Sequence, residues 1–114
     1  MADWREVAKK EGWTAFSKSV RIRLGGRKHS VQVQILGDEL EFYAALPEMD
    51  AAQLIGLLVS NRSSGLAYWD LDGWSARAVS RCPRSATQFE MAAYMLETAA
   101  LADRMELGLS ELDR

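Results

Sequence analysis

The sequence predicts an α+β fold: one antiparallel five-stranded sheet covered by helices, in the order α-β-β-β-α-β-β-α. Three observations lead to this class. Apolar and polar residues alternate in the first strand segments, glycine-containing turns separate neighbouring strands, and the longer segments with helical spacing start at capping residues. Segregated strands and helices are typical of a sheet with helices packed on it. The 114 residues fit a single domain, 1–114.

The first helix is predicted over residues 2–11. Asp3 can cap its N-terminus, and Glu6 follows at the spacing of a capping box. Trp4 and Val7 lie on one side at helical spacing, so the helix has an apolar side.

Three strands follow this helix. Apolar residues occupy every second position over 20–24, 31–35 and 40–46, which is the pattern of half-buried strands. Gly25-Gly26 and Gly37-Asp38 separate the three segments and suit tight hairpin turns, because these residues tolerate positive φ. The segments therefore predict an antiparallel meander.

A second helix is predicted to start at Asp50, with Gln53 at the capping-box offset. Its body, 54–59, is apolar on all sides rather than along one stripe. Such a helix must be covered from more than one direction. At least one side is therefore expected to meet another subunit.

A hairpin and a long helix complete the chain. Asp72-Gly73 is a strong two-residue turn signal between the strand segments 66–71 and 74–82. The last helix is predicted from Thr87 to about Leu109, which corresponds to a length of roughly 34 Å.

Composition narrows the function classes. There are 14 basic and 16 acidic residues, a net charge of −2, which does not indicate a protein built around nucleic acid or an anionic membrane. One histidine and one cysteine cannot form a closed metal site, and no phosphate-binding glycine loop is present, so we expect no metal and no cofactor. Without a leader-like N-terminus or a long apolar run, we expect a cytoplasmic protein that does not associate with membranes.

Two residues are candidates for catalysis. His29 follows Arg27 and Lys28 near a turn, and we interpret it as an exposed surface residue. Cys82 lies at a strand end between Arg81 and Arg84, cations that can lower the pKa of a thiol. We favour a packed cysteine over a nucleophile because no histidine is near it in sequence, and we expect no enzyme activity.

A set of basic residues offers an alternative function. If the first and last strands expose one sheet face, these residues could form a positive stripe for nucleic acid. The ordinary interpretation is a solvated sheet face with cross-strand partners such as Glu39 and Glu41, and the slightly acidic net charge favours it. The residues of this basic set are Lys18, Arg21, Arg23, Arg27, Lys28, Arg77 and Arg81.

The element order and the C-terminal residues together resemble YbjN-like proteins and the small dimeric type III secretion chaperones of the CesT type. The segment 87–90, followed by 96–106 with its Ala-Asp-Arg-x-Glu ending, is similar to the closing helix of YbjN-type domains. The turn before an aromatic strand, 61–69, is similar too. The resemblance covers nearly the whole chain by topology and implies a fold without catalysis.

Members of the secretion-chaperone group dimerise and hold an extended client segment, so the resemblance implies the same partners here. It implies a homodimer interface at Leu54, Leu57 and Leu58, and a client-binding groove at Trp4, Val7, Trp13 and Phe16. Trp69 is a further partner-binding candidate, because Tyr68 and Trp69 would point to opposite faces of a strand and one of these faces is not the core.

Two functions follow as hypotheses. The first is a non-enzymatic, chaperone-like protein that holds an extended segment of a client polypeptide. The alternative is a regulatory adaptor of the YbjN type that uses the basic sheet face to bind nucleic acid.

Overall fold

A computed structural model describes residues 2–46, 49–60, 65–72 and 75–112, with side chains described for all of these except 57–60, 72 and 108–112. Three helices and six strands occupy the described ranges. In chain order they are α1 (Trp4–Lys10), β1 (Thr14–Ala15), β2 (Ser19–Leu24), β3 (Arg27–Leu36), β4 (Glu39–Ala45), α2 (Ala51–Ser60), β5 (Tyr68–Asp72), β6 (Ser75–Pro83) and α3 (Gln88–Leu112). The strands form one antiparallel sheet in the order β1-β2-β3-β4-β6-β5.

The α+β class is confirmed, and the predicted strand number is corrected from five to six. The additional strand, β1, contains only Thr14 and Ala15, which pair with Arg21 and Val20 of β2. Phe16 N–H donates to the carbonyl of Ser19 at 2.8 Å and closes the turn between the two strands. A two-residue strand is too short to show an alternating pattern in the sequence.

The predicted helix starts are observed at α2 and α3. Gln53 N–H donates to the Asp50 carboxylate at 2.8 Å, and Asp50 N–H donates to the Gln53 side chain at 3.2 Å. Thr87 and Glu90 make the same reciprocal pair at 3.1 and 3.2 Å. Each box satisfies backbone donors that the first helical turn leaves without partners.

One face of the sheet is buried under α1 and α3. Val20 and Ile22 of β2 and Phe42 of β4 point into a core cluster and have no exposed surface. Met91 and Met95 of α3 fill the same cluster and are also fully buried. A half-covered antiparallel sheet explains the alternation in the sequence, because every second residue points away from the helices.

Helix α2 closes one end of this core. Leu54 is 5% exposed and packs with Leu46, Met49, Ala76 and Met105 of the same chain. The predicted dimer residue Leu54 therefore contributes to the intramolecular core. Leu57 and Leu58, the other two predicted interface residues, belong to α2, and their side chains lie outside the described part of the chain.

A charged cluster ties the β2–β3 hairpin to the middle of α3. Arg27 donates to both carboxylate oxygens of Asp103, from Nε at 2.6 Å and from Nη2 at 2.8 Å. His29 Nε2 lies 2.8 Å from Asp103 Oδ1, and its Nδ1 lies 3.8 Å from a carboxylate oxygen of Glu106. The Arg27 hydrogen bonds, together with that from His29, lower the pKa of Asp103 from 3.8 to about 2 despite its burial.

The interpretation of His29 as a surface residue was wrong, since it is 3% exposed. On β3 it shares the helix-facing side with Val31 and Val33, two and four residues further along the strand. The alternation of apolar and polar residues along β3 therefore predicts a buried His29. The interpretation as an exposed residue relied on its charged neighbours in sequence, Arg27 and Lys28.

We predict that Asp103→Asn lowers the free energy of unfolding at neutral pH by about 2 kcal/mol, because a charge-assisted pair is lost. The native pKa of Asp103 is depressed to about 2, so its contribution is present above the unfolded pKa of about 4 and is lost as the pH falls towards the native value. Urea unfolding at several pH values between 2 and 7 should show a smaller loss of stability with acid in the variant. Asp38→Asn in the exposed β3–β4 turn is the matched control, and equal acid sensitivity of wild type and Asp103→Asn would contradict the prediction.

Candidate functional site: a groove beside helix α1

A groove lies between the N-terminal end of α1 and the adjoining ends of β3 and β4. It consists of two neighbouring cavities of about 240 and 330 Å³, and Trp4, Arg5 and Ile35 line both of them. The remaining lining residues are Ala2, Asp3, Leu40 and Arg84 in the first cavity, and Ser17, Lys18, Val33 and Gln34 in the second. We call this feature the Trp4 groove.

The apolar surface of the Trp4 groove is offered mainly by Ile35. This side chain is 60% exposed, whereas Trp4, Val33 and Leu40 are between 5 and 9% exposed and belong to the core cluster. Ile35 pairs with Leu40 across β3 and β4 and lies on the helix-facing side, two residues beyond Val33. Helix α1 begins at Trp4, and Ile35 lies beside that end of the helix without being covered by it.

Cations surround the apolar surface of the Trp4 groove. The Arg5 guanidinium lies 4.4 Å from the centre of the Trp4 ring and donates to the Ser17 carbonyl at 2.7 Å. Arg84 donates to the Gly37 carbonyl at 3.5 Å, the outer limit for a hydrogen bond. The Trp4 ring and the Ser17 carbonyl therefore position the Arg5 guanidinium without the help of a carboxylate.

The structure brings only some of the predicted partner-binding residues to this site. Trp4 lines the Trp4 groove, but Val7 is 2% exposed and contributes to the core. Trp13 is half-buried, and Phe16 is 43% exposed with the Arg21 guanidinium 5.1 Å from its ring centre. Trp69 is half-buried between the core residues beneath α2 and α3. Binding at these positions is not tested by the fold and stays a prediction.

Sequence reasoning missed Ile35 and the two arginines as site residues. The alternating pattern placed Ile35 with Val31 and Val33 on a buried face, whereas in the structure Ile35 lies beside the N-terminal end of α1 and stays exposed. Arg5 and Arg84 are far apart in sequence but line the same cavity. A signal for Arg5 was present, because it directly follows the tryptophan of an amphipathic helix.

Ion pairs with carboxylates neutralise part of the predicted basic stripe. Arg77 lies 2.6 Å from Asp70 and 3.7 Å from Glu41, and Arg81 lies 3.6 Å from Glu41, which is 4% exposed. Arg27 is bound to Asp103, as described above. Glu41 is one of the two cross-strand partners expected from the sequence, so this part of the basic set forms an ordinary charge-balanced sheet face.

A separate polar concavity collects three of the remaining cations. Its volume is about 510 Å³, and Arg21, Arg23 and Lys28 line it. The other lining residues are Glu11, Gly12, Trp13 and Thr14. It lies at the opposite end of β2 and β3 from the Trp4 groove, next to the β2–β3 turn. We call it the Trp13 concavity.

The environment of Cys82 differs from that of a reactive thiol. Its side chain has no exposed surface, and burial, followed by the nearby charge of Glu90, raises its pKa to about 11. Arg81 and Arg84 flank it in sequence but do not reverse this effect. Within the described ranges, no three histidine, cysteine or acidic side chains are grouped as metal ligands.

We predict that Cys82 of the native protein reacts with a disulfide reagent at pH 8 at least 100-fold more slowly than in urea-unfolded protein. Burial excludes the reagent, and a pKa of about 11 leaves the native thiol almost fully protonated. The release of the chromogenic thiol measures both rates. A native rate close to that of the unfolded chain would show an accessible thiolate and favour a cysteine enzyme.

Comparison with known proteins supports the fold. No family model and no curated protein sequence matches the chain. Among solved structures, YbjN from E. coli, for which a role as a transcription regulator has been suggested, is similar with a TM-score of 0.63 and 13% identity; the match covers 96% of this chain and 90% of that chain. The YbjN-like fold expected from the sequence is confirmed, whereas the resemblance to secretion chaperones stays a prediction. None of the described helices is long and apolar enough to cross a membrane.

Proposed function

We propose that this protein is a non-enzymatic, chaperone-like protein that binds an extended segment of a client polypeptide in the Trp4 groove. The observation that carries the proposal is the exposed Ile35 side chain, placed between two cavities whose inner walls are formed by core residues. Exposed apolar surface in a concave setting is typical of binding sites. Ile35 gains burial only when a partner covers it.

The shape of the groove favours a polypeptide over a small molecule. Each cavity has a volume near or below the lower limit of about 300 Å³ for small-molecule sites, and the two adjoin each other along shared residues. Successive side chains of an extended segment can occupy neighbouring shallow cavities. We also propose a cytoplasmic location, which is supported by the unpaired, buried Cys82.

We predict that Ile35→Ser weakens polypeptide binding at least fivefold, because the main apolar contact of the groove is lost. Peptides selected from a displayed library on the immobilised wild-type protein provide the ligands, and fluorescence anisotropy measures the affinities. Ile55→Ser is the matched control, since Ile55 lies on α2 and is 62% exposed, against 60% for Ile35. Neither change should lower stability appreciably.

Two results would contradict this assignment. Selected peptides that bind Ile35→Ser as tightly as wild type do not use the Trp4 groove. Equal losses in the Ile35 and Ile55 variants would point to non-specific apolar contacts instead.

We propose that the protein is a homodimer and that α3 supplies the contact. Phe89, Leu96 and Leu107 are 84, 41 and 43% exposed, and their spacings place them on one side of α3. An antiparallel copy of α3 would set Phe89 opposite Leu107 and Leu96 opposite the half-buried Ala100. This contact differs from the interface predicted at Leu54, Leu57 and Leu58, of which Leu54 is buried within its own chain.

We predict that Phe89→Lys with Leu107→Lys converts a dimer into a monomer, because the same side would then carry like charges at both ends of the contact. Size-exclusion chromatography with light scattering measures the molar mass over a range of concentrations. Ile55→Lys on α2 is the control and should leave the mass unchanged. A wild-type protein that is monomeric at high concentration would refute the dimer, and a double variant that stays dimeric would refute the role of α3.

A second candidate function, a regulatory adaptor that binds nucleic acid, is favoured by one observation, the Trp13 concavity. Arg21, Arg23 and Lys28 meet there beside the half-buried Trp13 ring. Cations next to an aromatic side chain suit single-stranded nucleic acid. The rest of the basic sheet face gives less support, because Arg77 and Arg81 face carboxylates.

If this second function holds, the protein binds a labelled single-stranded oligonucleotide with an affinity that falls steeply as salt increases. Arg21→Glu with Arg23→Glu should abolish that binding while leaving the peptide affinity of the Trp4 groove unchanged. Ile35→Ser should have the opposite pattern. Oligonucleotide binding that survives the double charge reversal would exclude the Trp13 concavity as its site.

A further inference from the structure

The charges that line the Trp4 groove are unbalanced. Arg5, Lys18 and Arg84 are cationic, and Asp3 is the one acidic residue among the lining side chains. The Asp3 carboxylate accepts a hydrogen bond from the backbone N–H of Arg5 at 3.0 Å and caps α1. The groove therefore carries a local excess of positive charge, whereas the whole chain has a net charge of −2.

These cations differ from those on the opposite sheet face. Arg77 and Arg81 lie within 4.0 Å of a carboxylate, as does Arg27 at the edge of α3. For Arg5, Lys18 and Arg84, no ion pair is present among the described residues. The two arginine side chains donate to backbone carbonyls, Arg5 to that of Ser17 and Arg84 to that of Gly37. A carbonyl orients a guanidinium but does not neutralise its charge.

The cations also have a definite order along the groove. Arg84 lines the first cavity and Lys18 lines the second, while Arg5 and Ile35 are common to both. An apolar side chain placed against Ile35 would therefore have a cation on either side of it. The three cations are exposed. Carboxylates flanking that side chain would therefore pair with them at a surface open to solvent, where each pair contributes modestly and the attraction depends on salt.

We propose that the segment bound in the Trp4 groove consists of an apolar anchor residue flanked on both sides by acidic residues. This inference rests on the proposed polypeptide-binding function and adds the chemistry of the ligand to it. The anchor covers Ile35 and the edge of the Trp4 ring. The flanking carboxylates pair with Arg84 and Lys18, and Arg5 contributes to both positions.

Three synthetic peptides of equal length test the proposal. Each has a central leucine, with the flanking positions occupied by aspartate and glutamate, by asparagine and glutamine, or by lysine. Fluorescence anisotropy at about 0.05 M salt should show the acidic peptide binding about tenfold more tightly than the neutral one, with the lysine peptide weakest. At about 0.5 M salt the acidic advantage should shrink, since exposed charges are then screened over a few ångströms.

Two variants locate the effect. Arg84→Gln with Lys18→Gln should remove the advantage of the acidic peptide and leave the affinity of the neutral peptide nearly unchanged. Lys28→Gln is the matched control, because it removes a cation at the opposite end of β3, next to the Trp13 concavity. It should leave all three affinities and their order as they are in wild type.

The results of these experiments distinguish a failure of the acidic specificity from a failure of the polypeptide-binding function on which it rests. If the acidic and neutral peptides bind equally well and both lose affinity in Ile35→Ser, polypeptide binding holds and the acidic specificity is overturned. If none of the three peptides binds the folded protein, and library selection also yields no ligand, the polypeptide-binding function itself is overturned. An acidic preference that persists in the Arg84 and Lys18 double variant would also overturn the proposal.

Discussion

The structure depends on the burial of one sheet face beneath α3. This helix contacts β2, β3, β4 and β6, and so fixes strands that are distant in sequence in one register. Met91, Met95 and Met105 are fully buried along its length, from the cluster under α1 to the cluster under α2. Because flexible thioether side chains fill irregular spaces, one long helix can cover the twisted surface of several strands. Helices α1 and α2 each pack against α3.

Polar groups within this interface fix the position of α3. Asp103 is bound to both Arg27 and His29, and Ser80 lies 2.7 Å from the Thr98 hydroxyl. None of the buried side-chain polar atoms of the described residues lacks a hydrogen-bond partner. A fully satisfied network opposes sliding or rotation of the helix, because any shift would leave a buried group unpaired. The sheet is thereby held in a fixed position under α3, and Ile35 is exposed at its uncovered end.

The two candidate sites lie at opposite ends of β2 and β3 and differ in character. The Trp4 groove combines apolar surface with cations that are held by carbonyls, whereas the Trp13 concavity is polar and lined by Arg21, Arg23 and Lys28. Glu41, on the side of β4 that faces away from the helices, neutralises Arg77 and Arg81 and lines neither site. This separation allows one site to be altered without the other. The similarity to YbjN, at 13% identity, concerns the fold and leaves the choice between the sites to experiment.

The fold class, the three hairpins of the main strands and the capping boxes of α2 and α3 could be predicted from the sequence, because turns, caps and alternation depend on neighbouring residues. The sequence also indicated the burial of His29, because the alternation along β3 places this residue on the same side as Val31 and Val33. Tertiary structure alone decided which apolar residue stays exposed, and hence the candidate site. Ile35 and Val33 follow the same pattern along β3, but only Val33 is covered. That difference depends on where α1 begins and where α3 crosses the sheet, which are relations between segments far apart in the chain.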